Sequence, residues 1–209
     1  MRNALSLLGT VICIASLAGA PGCGGSNSAK DTDGGSCDAK RYPCGPYGLA
    51  AGSTIANLSL PGKHDQNGSG NVLDDALTTL ALADYFARPA LRALVIVIGT
   101  ETCVPCQNEQ PTLLQANARY AQQGTVAFLE AIVEGQGGQQ ADTAVLDAWV
   151  SRYQVPFDMT ADPAGALRPY YNTRAFPSSL VIKVSDMSIV SVMAGPVDNL
   201  AAILDPLVQ

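Results

Sequence analysis

The stretch Gly99–Pro111, GTETCVPCQNEQP, sets two cysteines two residues apart, directly after the hydrocarbon run Ala93–Ile98, ALVIVI. Six apolar residues without a polar interruption predict a central strand covered on both faces. The residues after the second cysteine, NEQPTLLQANARYAQQG, predict a helix. Leu113, Leu114, Ala116, Ala118 and Tyr120 give it an apolar side, Gly124 ends it, and Pro111 inside it predicts a kink. A C-x-x-C between strand and helix has three physical readings: a redox pair, half of a metal site, or a structural staple.

Chemistry separates the three. The first turn of a helix carries unpaired N–H groups and a partial positive charge, which stabilise a thiolate at Cys103. Cys106, one turn deeper, is expected to stay a shielded thiol until it is needed. Two intervening residues let the sulfurs close a small ring that opens by thiol exchange. Pro105 stiffens the turn at a position where its missing N–H costs no helical bond. A structural zinc needs four ligands. The remaining candidates, His64, Cys37 and Cys44, are distant in sequence and form no second paired spacing beside a helix. The redox reading is therefore preferred, with no metal and no cofactor.

Outward from this centre the chain alternates strands and helices. IANLSL, Ile55–Leu60, alternates like a strand, and PGKHDQNGSGN after it reads as a loop. LTTLALADYF suggests a short strand near Leu80 and a helical turn at Ala83–Phe86. VAFLEAIVEG is a second buried strand. A helix capped by Asp142 or Thr143 follows, with Val145, Leu146, Trp149 and Val150 inward. A short strand and helical turn lie in PFDMTADPAGALRPYY. Ser179–Val184 and Ser188–Ala194 form a hairpin, and VDNLAAILDPLV closes the chain as an amphipathic helix. This order predicts an α/β domain with a central mixed β-sheet flanked by helices.

The whole chain has 209 residues, 47% hydrophobic and 14% charged, with a net charge of −6. That is enough for one domain with a substantial core, and it offers no basic patch for a nucleic-acid partner. Residues 1–22 read as an export signal: Arg2, a short apolar core from Leu5 to Leu17, then small residues. APGC, Ala20–Cys23, resembles a bacterial lipobox, which implies lipidation at Cys23. Residues 23–36 are a polar tether. The alternative is a soluble secreted protein. With Cys13 removed and Cys23 acylated, four of the six cysteines remain, and an even count outside the cytoplasm suggests two pairs. Cys37 and Cys44, within the coil 37–54, are read as a structural staple, the rival being a second redox pair that exchanges with Cys103. His64, in a turn-rich loop, is read as solvated.

CVPCQNEQP, Cys103–Pro111, reads C-x-P-C-x-x-E-x-P and resembles the TlpA/ResA branch of thioredoxin-like thiol–disulfide oxidoreductases. The resemblance spans roughly Ile55 to Val208, within a domain taken as 55–209. It implies a thioredoxin-like fold carrying an N-terminal extension and a central helical insertion. IANLSL looks like the family's opening strand. AFPSSLVI resembles its cis-proline loop, with Pro177 as the cis residue. YPCGPYG is similar to a segment found ahead of redoxin domains in myxobacterial lipoproteins. Carried over residue by residue, Cys103 attacks, Cys106 resolves, and Glu109, one turn beyond Cys106, helps move protons. Pro177, Phe176, Thr102 and Pro105 shape the client groove.

The departures are specific. Thr102 stands where the family usually has Trp, Phe176 where a smaller residue precedes the proline, and Val97 where thioredoxins bury an Asp. The implied partners are client proteins or small thiols and disulfides, together with a membrane electron donor or acceptor. The implied location is the periplasm, tethered by lipid, with the outer membrane favoured by Gly24 after Cys23. Two alternatives differ in class. Thr100 and Cys103 supply the T-x-x-C of a peroxiredoxin-like peroxidase, although Ile96 replaces its proline. A non-enzymatic metal- or thiol-binding module is the other, against which stand the two-residue spacing and the distant His64.

Overall fold

The computed structural model describes residues 38–121, 123–197 and 199–209. The segments read as export signal and tether, residues 1–36, and Cys37 lie outside them. Seven strands form one mixed sheet: β1 Ser59–Lys63, β2 Thr78–Ala81, β3 Ala93–Thr100, β4 Val126–Glu134, β5 Asp158–Ala161, β6 Ser178–Lys183 and β7 Ser188–Ala194. Their order across the sheet is β2-β1-β5-β4-β3-β6-β7. β3, β4 and β5 run parallel, and the pairs towards both edges are antiparallel. Among the described residues four α-helices accompany them: α1 Leu82–Phe86, α2 Val104–Ala121, α3 Thr143–Tyr153 and α4 Leu200–Val208. Among the described residues no helix is long and apolar enough to cross a membrane.

The apolar run of β3 is buried at all eight positions, because helices cover one face and coil with α1 covers the other. Alternation along the strands divides the interior into two cores. Val95 and Val97 on β3, with Phe128 and Ile132 on β4, meet Leu113 of α2, Leu146, Trp149 and Val150 of α3, and Leu200 and Leu204 of α4. Leu94, Ile96 and Ile98 on β3, with Leu129, Ala131 and Val133 on β4, meet Tyr42, Ile55, Leu82, Tyr85 and Tyr170. Asp142 caps α3 by accepting from the Val145 N–H at 3.1 Å. Asn199 caps α4 through the Ala202 N–H at 3.2 Å.

Two sequence expectations shift. The first strand begins at Ser59 rather than Ile55 and runs through the Pro61-Gly62 pair read as loop. A glycine is what that position requires: a Cβ on Gly62 would collide with the Met159 carbonyl oxygen of β5. Pro61 contributes its carbonyl, which accepts from Thr160 Oγ1 at 2.8 Å. Ile55 instead anchors the preceding coil, donating its N–H to the Met187 carbonyl at 2.9 Å. The second shift concerns His64, read as solvated. Its Nδ1 lies 2.6 Å from Asp158 Oδ1, and Tyr85 Oη donates to the other oxygen of the same carboxylate at 2.6 Å. This cluster marks the end of β5 opposite the cysteines.

Candidate active site

α2 begins inside the cysteine motif, at Val104, consistent with a C-x-x-C that opens a helix. Cys103 forms its cap. The Cys103 carbonyl accepts the Gln107 N–H at 3.1 Å, and Cys103 Sγ accepts the Cys106 N–H at 3.1 Å. Cys103 thus fills the role that Ser or Asp plays at other helix starts, with sulfur as the acceptor. Pro105 takes the second helical position, where no N–H bond is lost, and α2 continues through Pro111.

Cys103 and Cys106 are joined by a disulfide. Cys103 is partly exposed, whereas Cys106 is 2% exposed. Thr102 and Pro105 are exposed around Cys103, and Val104 is a bare apolar side chain at 61% exposure. Glu101 ties the turn before the motif to the loop after β4, accepting the Gln136 N–H at 2.9 Å. Beneath the disulfide lies Gly99, where a Cβ would stand 3.1 Å from Cys106 Sγ. The Phe176–Pro177 peptide bond is cis. β6 pairs Ser178 with Ile98 in antiparallel register, so the next step places Pro177 beside Gly99, at the same end of the sheet as the disulfide. Phe176 packs against both cores, and Cys103 against the first of them.

Glu109 is a buried carboxyl, not an exposed charge on the first turns of α2. It is 4% exposed, and its Oε1 accepts the Val197 N–H at 2.7 Å. With Pro105, Asn108, Thr112, Pro196 and Val197 it lines a cleft of about 360 Å³. Cys44 is disulfide-bonded. Its expected partner, Cys37, is outside the described residues. His64 stays with Asp158 at the start of β5, level with the middle of β3, and is not brought to the cysteines.

A second buried carboxyl was missed. Glu130, in the middle of β4, is 1% exposed. It pairs in register with Val97, the position noted above for lacking a buried Asp, so an acid does occupy this layer, one strand to the side. Gln110 Nε2 donates to Glu130 Oε1 at 2.6 Å and also reaches the Cys106 carbonyl at 3.5 Å. Burial pushes the Glu130 carboxyl up to about 8. Gln110 and Trp149 pull it partly back, and the negative charge of Glu109 adds to the rise. The available signal was a lone Glu among apolar residues, VAFLEAIV, on the side of the strand shared by Phe128 and Ile132.

No family model matches the chain, and no curated protein matches it. Solved structures do. A candidate thiol:disulfide interchange protein DsbE from Chlorobium tepidum superposes with a TM-score of 0.59 at 16% identity, over 78% of this chain and 100% of that one. A thiol-disulfide oxidoreductase from Bacteroides fragilis gives 0.56 at 15% identity, over 74% and 99%. The reduced 2-Cys peroxiredoxin of Plasmodium vivax gives 0.57 at 11% identity, over 75% and 94%. The fold is thioredoxin-like, a mixed seven-stranded sheet flanked by helices, as the resemblance implied.

Proposed function

We propose that this protein is an exported thiol–disulfide oxidoreductase that exchanges the Cys103–Cys106 pair with protein clients or small thiols and disulfides. The observation that carries the reading is the disulfide itself: one sulfur partly exposed at a helix start, the other buried one turn below. The two solved thiol–disulfide oxidoreductase structures support it by their shared fold.

In the reducing direction the Cys103 thiolate attacks a client disulfide and releases one client thiolate. Cys106 then loses its proton, and its sulfur attacks Cys103. The Cys103–client bond breaks with its electron pair on the client sulfur, which takes up a proton. The client gains two electrons and the Cys103–Cys106 pair loses two. The N–H groups of the first turn of α2 favour the Cys103 thiolate over the Cys106 one. Glu109, in the cleft beside this turn, assists proton movement at Cys106. Thr102, Pro105, Phe176 and Pro177 form the client-facing rim. The reverse sequence oxidises a client dithiol, and a membrane electron donor or acceptor resets the pair.

In this reading the chain is lipidated at Cys23 and faces the periplasm, held at the outer membrane, while Cys37 and Cys44 form a staple apart from the exchange. A Cys106→Ser variant expressed in the native host should accumulate mixed disulfides through Cys103, and Cys103→Ser should accumulate none. Equal trapping by both variants would refute the assignment of attacking and resolving sulfurs. Cys23→Ala should release the protein from membranes.

A peroxidase reading has one specific support, the peroxiredoxin among the structural neighbours. In that case the reduced protein would consume hydrogen peroxide at a rate dependent on Cys103.

A further inference from the structure

We infer that Glu130 is a positioning residue for the exchange: a buried carboxyl that, through Gln110 and through its own charge, governs how readily the Cys106 thiol releases its proton. This rests on the reading of Cys103 and Cys106 given above.

The geometry begins with β4, where Glu130 interrupts a buried apolar run and points into the core that contains Cys106. Gln110 lies four residues after Cys106, so the two stand one above the other on the same face of α2. The Gln110 amide joins the two groups, 2.6 Å from the Glu130 carboxyl and 3.5 Å from the Cys106 carbonyl. Gln110 is itself 1% exposed. The second Glu130 oxygen has no hydrogen-bond partner. The Trp149 indole faces the carboxyl without closing a hydrogen bond of good geometry.

The groups facing Glu130 come from every element around it. α2 supplies Gln110 and, farther off, Glu109, and α3 supplies Trp149. On the sheet its register neighbours are Val97 and Met159. Glu109 is the one among these that carries charge, and its charge has the same sign. A carboxylate with one hydrogen bond and no cation, out of reach of water, favours its neutral form. That agrees with an upward-shifted acidity set first by burial.

When a mixed disulfide resolves, the Cys106 S–H bond breaks, the Cys106–Cys103 bond forms, and the client sulfur departs and takes up a proton. Glu130 keeps its own proton through this step. While it is neutral, Glu130 adds no negative charge of its own to that of Glu109 against the developing Cys106 thiolate. Once ionised, it holds Cys106 in the thiol form and slows resolution.

The test uses the purified full chain and two readouts. Trp149 is the only tryptophan, so its fluorescence reports the Glu130 side chain directly. In the oxidised wild type it should change with a midpoint near 8, and the transition should vanish in Glu130→Gln. In the reduced protein the ¹³Cβ shift of labelled Cys106 should titrate about one unit lower in Glu130→Gln than in the wild type, a tenfold increase in thiolate below the midpoint. Gln110→Met provides a second route if Glu130→Gln does not fold. Losing the Gln110 hydrogen bond should move the Trp149 transition upward.

Superimposable Cys106 titrations in wild type and Glu130→Gln would overturn the proposal, as would an oxidised wild type whose Trp149 emission is flat through this range. Neither readout requires a client. A protein that exchanges with no client, yet shows both shifts, would refute the proposed function and leave the Glu130–Cys106 coupling standing.

Discussion

Glu130→Gln should also change how folding stability depends on pH. The substitution retains the size and an oxygen to accept from Gln110, and it removes the titrating proton. The wild-type carboxyl moves from 4.5 in the unfolded chain to about 8 in the fold. A raised carboxyl binds its proton more tightly in the native state, so stability is full below about 4.5, declines as pH rises, and levels off above about 8. At about 1.4 kcal/mol per pH unit, that rise corresponds to roughly 5 kcal/mol lost between the two plateaus. Against a typical total of about 5–15 kcal/mol this is large. Urea unfolding of the oxidised proteins at half-unit steps from pH 5 to 9 measures it. The variant should sit near the wild type at pH 5 and gain on it steadily towards pH 8. A constant difference between the two midpoints across that range would refute the claim that Glu130 is buried as a neutral acid.

Glu109→Ala should destabilise by about 1–3 kcal/mol, because it strands the buried Val197 N–H. Glu109→Gln should cost much less while lowering the Cys106 midpoint, since a like charge is removed; identical exchange rates across pH for Glu109→Gln would reduce Glu109 to a structural acceptor. Gly99→Ala forces a methyl against Cys106 Sγ at 3.1 Å and should cost about 1–3 kcal/mol. Most of that cost should fall on the disulfide form, where the sulfur cannot rotate away, so the pair should become easier to reduce in a glutathione equilibrium by on the order of 20 mV. His64 is raised above its usual 6.5, chiefly by its hydrogen bond to Asp158. Its contribution is full below pH 6.5 and lost as pH climbs through the folded value, so His64→Gln should lower the melting temperature at pH 6 and converge with the wild type at high pH.

Local signals were sufficient for much of this protein. Strand and helix periodicity placed β3, β4, α3, the β6–β7 hairpin and α4, because burial on one or both faces imprints directly on residue order. The spacing of the cysteine motif let its two sulfurs meet, and the structure joins them. That Cys103 itself caps α2 was not legible, since a cysteine is not among the usual caps and only the folded turn turns its sulfur towards the Cys106 N–H. The Pro61-Gly62 pair reads as a break until β5 is beside it, at which point the missing Cβ becomes the reason a strand fits there. His64 was taken for solvent-exposed because its partner, Asp158, lies 94 residues away. Glu130 carries the same lesson into the site. In sequence it is one acid in a strand, and nothing local distinguishes an edge carboxylate from a buried one. Its role depends on the parallel register with β3 and on α2 lying across that face, which together place Gln110 between Glu130 and Cys106. Residue order determined which groups can react. The environment that tunes those groups is a property of long-range neighbours, and only the tertiary structure decided which neighbours they would be.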